Sequence, residues 1–493
     1  MAIVTGTALE SNKNFRVNFD GGNLSSDGGL LLLKEFYHKL GVKALLKKHF
    51  HTTDSASFRI HKDHENLLQM LYQITGAYFQ DDHADSLRND PVLNAVVGKA
   101  ALASQPTLSR FHNRMDAQSL KQLEDIQRIF RRRVYSVEKP EYILFDLDST
   151  LLAAYGTQEG EAFNYHYQAH GYHPLLCFDG LTGDLLKVEL RPGTHYCSKG
   201  AAAFMRPLLE EYQRDYPETA LFARGDSGFA TDELYSLFET NGTSYVIRLK
   251  ENPVLRRLAE ALDSELYDLT REDAVSYAVV YGEFLYKAGS WDYPRRVVCK
   301  IEKPYGQMLH MHTFVVTNMD SSPEDLIRFY CKRGQMENFI KECKSGFDMS
   351  YVSSSSMIVN ANRVQIHALA YNLFNWFRRL ALPESMRKDR IDTVRLKLLK
   401  LAARIVRSAR YVYFKLCSHC PYQTQFYETL SNIGKLCLQL ERAHQLCILT
   451  ASKQPQHPQG GSIPFSMWKT LRVACFAAAY PNMVPCRLSS VPT

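Results

Sequence analysis

Four polar side chains recur at intervals of three, four and seven in Ser322 to Phe347, SPEDLIRFYCKRGQMENFIKECKSGF: Tyr330, Arg333, Glu337 and Lys344. At about 100° per residue they fall within an arc of roughly 60° on one continuous helix. Lys341 adds a third cation one turn beyond Glu337. A carboxylate set among a tyrosine and cations suits a group that binds a metal while its neighbours hold a polyanion. A solvated face has the same spacing, and its Arg333–Glu337 pair would contribute only about 0.2–0.5 kcal/mol. Two further carboxylates favour chemistry. Asp148 closes EYILFDLDST and Asp226 lies in RGDSGF, each where a strand would end at a crevice. Either aspartate of FDLDST, Asp146 or Asp148, could be the first ligand. Three hard oxygen donors favour Mg²⁺ or Mn²⁺ over zinc. Two such ions could activate a water or a 3′-hydroxyl and steady the leaving oxygen of an in-line phosphodiester displacement. Tyr330, Arg333 and Lys344 would then grip the phosphate and a displaced nucleotide.

The elements that must position these groups are legible in outline. Ser322 can cap a helix, with Pro323 at its first position and Glu324 and Asp325 at the positive end of its dipole. Phe329, Met336, Phe339, Ile340 and Cys343 gather on a neighbouring arc and would bury it. From residue 141 the pattern reads strand, strand, strand, helix, strand, helix, strand, the order of a ribonuclease-H-like core. YHPLLCFDG and LLKVELRPG form a hairpin within it. The fold class is therefore α/β, with catalytic segments 141–250 and 321–350 interrupted by a β-rich insertion at 251–320. A helical N-terminal region (1–140) and a helical, basic C-terminal region (351–450) flank the core, and the tail 451–493 has no assignable role.

Residues 89–115 fit two short helices, with Ser104 capping the second. A helix-turn-helix DNA reader presenting Arg110 and Arg114 fits this stretch, and so does an ordinary helical pair. Between Arg387 and Arg410 there are nine Lys or Arg and two Asp. On a helix Lys400, Arg404 and Arg407 would share a face able to track DNA. The chain of 493 residues is 45% hydrophobic and carries a net charge of +7, as expected of a multidomain globular protein compatible with a nucleic-acid partner. Eleven cysteines without a repeated spacing, and no signal peptide, read as reduced thiols in a cytosol. No apolar run reaches the length of a membrane span.

The array Tyr330, Arg333, Glu337, Lys344 resembles the Y-R-E-K signature of bacterial DDE transposases encoded by insertion sequences. FDLDST, GYHPLLCFDGLTGDLL and RGDSGF resemble other blocks of one such family, so the resemblance spans roughly residues 15–425. It implies a ribonuclease-H-like core in which Asp148, Asp226 and Glu337 bind the metals, Asp148 being preferred because it directly precedes a small residue and Thr. It further implies cut-and-paste strand cleavage and transfer on double-stranded DNA, the substrates being terminal inverted repeats and a target. The enzyme would act in the bacterial cytoplasm, associated with the nucleoid, as a homodimer on DNA.

Other readings fit parts of the chain. A domesticated transposase would bind DNA without cutting it. FDLDST also matches the opening motif of haloacid-dehalogenase-type phosphatases, with Asp146 as nucleophile and Asp148 as general acid, but that chemistry leaves the Tyr330–Lys344 array without a role. Cys417, His419, Cys420, Cys437 and Cys447 lack the second close pair of a zinc site. Asp81, Asp82, His83 and Asp85 read better as a polar loop than as a metal site.

Overall fold

The computed structural model describes residues 6–438, apart from 55, 57, 273 and 274. Its first helices are α1 (Leu30–Leu40), α2 (Val42–His49), α3 (Asp63–Thr75), α4 (Pro91–Val97), α5 (Gln105–Asn113) and α6 (Ala117–Tyr135). Their ends follow capping chemistry. Asp90 accepts from the amides of Val92 and Leu93, and Asp116 from that of Ser119. Gly41, at φ 70°, closes α1 in the left-handed conformation and turns the chain into α2.

An eight-stranded sheet follows. Its strands are β1 (Tyr142–Ser149), β2 (Leu175–Asp179), β3 (Leu185–Glu189), β4 (Ala220–Gly225), β5 (Ser244–Leu249), β6 (Ala278–Tyr286), β7 (Arg295–Lys303) and β8 (Met311–Thr317). They lie in the order β6-β7-β8-β5-β4-β1-β2-β3. β1, β2 and β3 form an antiparallel meander, whereas β4 runs parallel to both β1 and β5. The parallel crossovers are made by α7 (Ala201–Asp215) and α8 (Asp232–Thr240). Central β1 is buried from Ile143 to Leu147, as a strand covered on both faces must be.

Residues 251–320 continue this sheet. After α9 (Glu260–Thr270), the strands β6, β7 and β8 pair in succession, and β8 docks antiparallel on β5 through Val246–Thr317 to Leu249–Phe314. The protein is thus a mixed α/β molecule built on one large mixed sheet.

The helix expected to run unbroken over 322–347 is divided. α10 (Pro323–Cys331) and α11 (Gly334–Lys341) are separated by Lys332 and Arg333, and a π turn at Glu342–Gly346 closes the segment. Ser322 caps α10 by accepting from the amide of Asp325. The apolar arc is used as its pattern suggests: Met336, Ile340 and Cys343 are buried, with Phe329 and Phe339 packed against the core.

α12 (Met357–Leu380) is buried from Val359 to Phe377 and joins the N-terminal helices to the sheet. Its polar residues are matched to the β2–β3 hairpin. Asn372 both accepts from and donates to the backbone of Leu185, Gln365 donates to the Val188 carbonyl, and the Tyr371 hydroxyl donates to that of Gly183. These hydrogen bonds offset the cost of burying the polar groups that make them.

The basic stretch expected as a helix over 386–410 is different. Short turns at Ile391–Val394 and Arg395–Leu399 lead into β9 (Ala403–Arg407), which pairs with β10 (Val412–Leu416) and with Leu24–Ser25 before α13 (Gln423–Lys435). The runs RIVR and VYFKL are rich in β-branched and aromatic residues, and the N-terminal strand supplies a partner. A close backbone approach fixes this join: a Cβ on Gly29 would lie 1.7 Å from the Leu398 carbonyl oxygen. The tail 451–493 lies outside the described residues. No helix among those described is long and apolar enough to cross a membrane.

Candidate active site

β1 and β4 are parallel neighbours in the middle of the sheet and carry Asp148 and Asp226 at their C-terminal ends. Because side chains alternate along a strand, Asp146 and Asp148 share a face of β1, yet their surroundings differ. Asp146 is fully buried, and both its oxygens accept from Arg224 of β4, from Nε and Nη2, each at 2.7 Å. Both oxygens of Asp146 are engaged in this buried pair, so it presents its carboxylate to Arg224, whereas Asp148 presents its own to the neighbouring acids. The third arm of the guanidinium, Nη1, donates to the Phe329 carbonyl of α10 at 2.7 Å, and the group lies 5.1 Å from the Phe329 ring centroid. One buried side chain therefore ties β1, β4 and α10, the elements beside the three candidate acids. The fit is tight, since a Cβ on Gly180 would lie 2.2 Å from Asp146 Oδ2.

Asp148 lies two residues closer to the surface. Its Oδ1 accepts from the Ser149 amide and its Oδ2 is 3.0 Å from Arg333 Nη2. Its carboxyl is pushed up to about 6. Burial is the main cause, and the charges of Asp226 and Glu337 add to it against the pull of Arg333 and Ser149. Asp226 directly follows β4 and caps the turn Ser227–Phe229, with Oδ1 accepting from the Gly228 amide at 2.8 Å. Glu337 projects from α11 with 65% of its side chain exposed and Lys341 Nζ 3.8 Å away.

Arg333 stands between the acids. It also donates to the Leu147 carbonyl, while its Nε is shielded from solvent without an acceptor. Burial alone would lower its pKa, but Asp148, Asp226 and Tyr330 raise it, so it stays charged. Half-buried Tyr330 has its hydroxyl held above the usual range, chiefly by burial, and senses both Arg333 and Asp226. Lys344 Nζ donates to Thr150 Oγ1 and to the Leu151 carbonyl, just beyond Asp148, and burial lowers its pKa.

Two residues that sequence reading passed over also border the acids. The Tyr167 hydroxyl donates to the Ser149 carbonyl and is pushed up to about 12, first by burial and then by Asp148, Cys197 and Asp226. The Cys197 thiol accepts from Ser149 Oγ at 3.2 Å. Both arrive on excursions remote in sequence, and no local motif marks them.

Among the described residues, no three His, Cys, Asp or Glu side chains close on a single point. The donor set nevertheless suits a hard divalent cation. Asp148, Asp226 and Glu337 offer only oxygens, and each contributes to a field that makes the Asp148 carboxylate costly. Bringing them onto one ion requires the Arg333–Asp148 contact to open and the exposed Glu337 side chain to turn. The Glu337–Lys341 pair opposes that turn weakly, because exposed pairs contribute little.

Other sequence candidates have structural roles. Arg114 pairs with Asp54 and Asp63, each at 3.3 Å. Arg110 is exposed on α5, but the connection between α4 and α5 spans 98–104, longer than the three- or four-residue turn of a helix-turn-helix. Lys400 binds Asp27 at 2.7 Å above the Tyr78 ring. Arg404 and Arg407 are exposed on β9, where the two-residue period places them on opposite faces rather than on one helical face. Asp81 is held by Arg363 at 2.6 Å, so it is a structural ion pair. Cys417, Cys420 and Cys437 are free thiols that form no metal-binding group among the described residues, and Cys447 lies outside them.

The fold thus sets Asp148 and Asp226 at the ends of two adjacent strands of a central mixed sheet and Glu337 on a later helix. The family described as "Transposase DDE domain group 1" matches residues 7–438, and the chain belongs to that family. Among solved structures, it is similar to a chain of the cryo-EM structure of the piggyBac transposase synaptic complex with hairpin DNA. The alignment covers 93% of this chain and 91% of that one at 13% identity, with a TM-score of 0.39. No curated protein matches the sequence.

Proposed function

We propose that this chain is the transposase of a bacterial insertion sequence, binding the terminal inverted repeats of its own element, cutting them and joining the ends to target DNA. The observation that carries the reading is the placement of Asp226, Glu337 and Arg333 around Asp148 at the ends of two adjacent strands. The strand order of β1 to β5, an antiparallel meander followed by two parallel strands, supports a ribonuclease-H-like core.

In this reading Asp148, Asp226 and Glu337 hold Mg²⁺ or Mn²⁺, which supplies electrostatic stabilisation to the attacking and leaving oxygens. Arg333, with donor capacity that the fold does not use, moves from Asp148 to the phosphate. Lys344 and Lys341 add positive charge to either side, and Tyr330 packs against the nucleotide beside the scissile bond. Asp148 must be ionised to bind a cation. Joining two ends at once requires at least two copies of the chain on DNA.

Asp148 gives this reading a pH signature. Its folded pKa, about 6, lies above the ordinary value of 3.8, so the folded state holds this proton more tightly. The metal-free protein therefore loses stability from this group as pH rises from about 4 to 6. Mg²⁺ binds the ionised form, so its stabilisation should appear above about pH 6 and fade below it. Thermal unfolding at pH 7.5 should show an upward Tm shift equivalent to about 1.4 kcal/mol when Mg²⁺ is tenfold above its Kd. The shift should shrink at pH 5 and in Asp148→Asn. Equal shifts in all three cases would remove Asp148 from the ion site.

The functional test begins with the DNA beside the gene. Inverted repeats there supply the substrate, and Mg²⁺-dependent nicking at the repeat boundary is the expected result. Hydrolysis of phosphomonoesters without nicking would overturn the reading in favour of a phosphatase. Binding of the repeats without nicking would place the chain among domesticated transposases.

A further inference from the structure

The other side of α11 carries a feature that the proposed site does not use. A groove of about 920 Å³ lies between α11, the entry to β1, the end of α12 and the turn at 387–390. Asn338 and Lys341 line it, and on α11 they stand about 100° and 40° around the helix from Glu337. The groove thus begins where the candidate site ends, with Lys341 shared between them.

Its charges are unevenly distributed. Glu342 is neutralised by Arg378 at 3.0 Å and also accepts from the Ile391 amide. Glu138 accepts from Arg379 at 2.7 Å, and buried Asp179 is pushed up to about 6 while accepting from Thr182. Glu141, Lys341, Arg387, Lys388 and Arg390 complete the charged lining and are all exposed, Arg387 also donating to the Leu382 carbonyl and Arg390 to Ser345 Oγ. Lys341 stands on α11 and Arg387, Lys388 and Arg390 on the turn at 387–390, so the cations line the groove from two separate elements. That arrangement suits an extended polyanion better than a free phosphate, which needs several donors aimed at one position. They also account for part of the basic run 387–410, in which Arg395, Lys397 and Lys400 are paired with acids and Arg404 and Arg407 lie on β9.

We propose that this groove carries the phosphate backbone of the duplex immediately flanking the cleavage point, leading that strand onto Glu337. The proposal rests on the transposase reading and adds the path by which DNA reaches the site. Its contacts are to phosphates, so it contributes affinity without base preference.

The test uses the full chain and end DNA of two lengths, one extending as duplex beyond the cleavage point and one stopping at it. Lys388→Glu with Arg390→Glu reverses two exposed charges and leaves the core untouched. On the long DNA the double variant should bind at least tenfold more weakly. The slope of log Kd against log salt should fall by about two, because each phosphate contact contributes roughly 0.9. On the short DNA it should bind like wild type, and its cleavage rate at saturating DNA should stay within about threefold. Wild-type affinity and slope on the long DNA, alongside loss of cutting in Glu337→Gln, would overturn the groove but keep the transposase reading. Equal weakening on both lengths would also overturn it, placing these cations elsewhere on the DNA. A wild-type chain that neither binds nor cuts the ends would overturn both.

Discussion

Arg224→Met is expected to destabilise the protein by about 3–5 kcal/mol, because it strips the only guanidinium from a carboxylate buried to the last atom. Asp146 would then have to take up a proton or remain as an uncompensated charge. The Phe329 carbonyl would also lose its donor, releasing the end of α10 from the sheet. Strand cleavage should fall along with stability, although Arg224 touches none of the three candidate acids through the contacts described. Lysine at this position cannot supply the fork that spans both Asp146 oxygens and the carbonyl, so Arg224→Lys should recover only part of either loss. Stability and positioning separate in the double variant Asp146→Leu/Arg224→Met. Replacing a buried ion pair by apolar groups commonly restores stability, whereas the tie to α10 stays broken. Denaturant unfolding should show the double variant to be more stable than Arg224→Met, with cleavage still depressed. Full cleavage by the double variant would show that the tie does not position the site.

Glu337→Gln should be the more severe change for chemistry and nearly neutral for stability. Its side chain is mostly exposed and pairs only at 3.8 Å with Lys341, so the fold loses little. The amide retains the shape but removes the charge that a divalent cation requires. Where electrostatic stabilisation dominates, loss of a single well-placed group commonly costs 10²–10³ in rate, and loss of an ion ligand should cost at least that. Affinity for end DNA should stay within a few-fold of wild type, or rise slightly as a negative charge leaves the DNA-facing surface. Gel-shift and single-turnover cleavage assays on the same preparation separate the two effects. A parallel fall in binding and cutting would assign Glu337 a structural role.

How much of this was legible in the sequence depends on the distance over which each feature is determined. Asp148 and Asp226 could be placed at strand ends because FDLDST and RGDSGF follow buried apolar runs that carry their own signal. Ser322, Pro323 and the acids after them announced the start of α10 for the same reason. Arg224 could not be recognised. Its partners lie 78 and 105 residues away, and an arginine before an aspartate carries no local mark of a buried fork. For the same reason the sequence does not show how differently Asp146 and Asp148 are surrounded.

The errors have the same origin. Lys400, Arg404 and Arg407 fit a helical period, but β9 finds a partner in Leu24–Ser25, nearly 380 residues earlier, and tertiary pairing prevails over a weak local preference. The break at Lys332–Arg333 was invisible for a related reason: the periodicity continues across it. At the break Arg333 precedes α11 and reaches Asp148 with its side chain, while Glu337 turns outward toward solvent.

The most direct test of the central claim is single-turnover cleavage of end-labelled terminal-repeat DNA in Mg²⁺ by wild type, Asp148→Asn, Asp226→Asn and Glu337→Gln. The expected result is a defined nick at the repeat boundary for wild type, its loss on chelation of the ion, and no product from any of the three variants at preserved DNA binding. A nick of normal rate from any one of them would contradict the assignment of that carboxylate and, with it, the shared site.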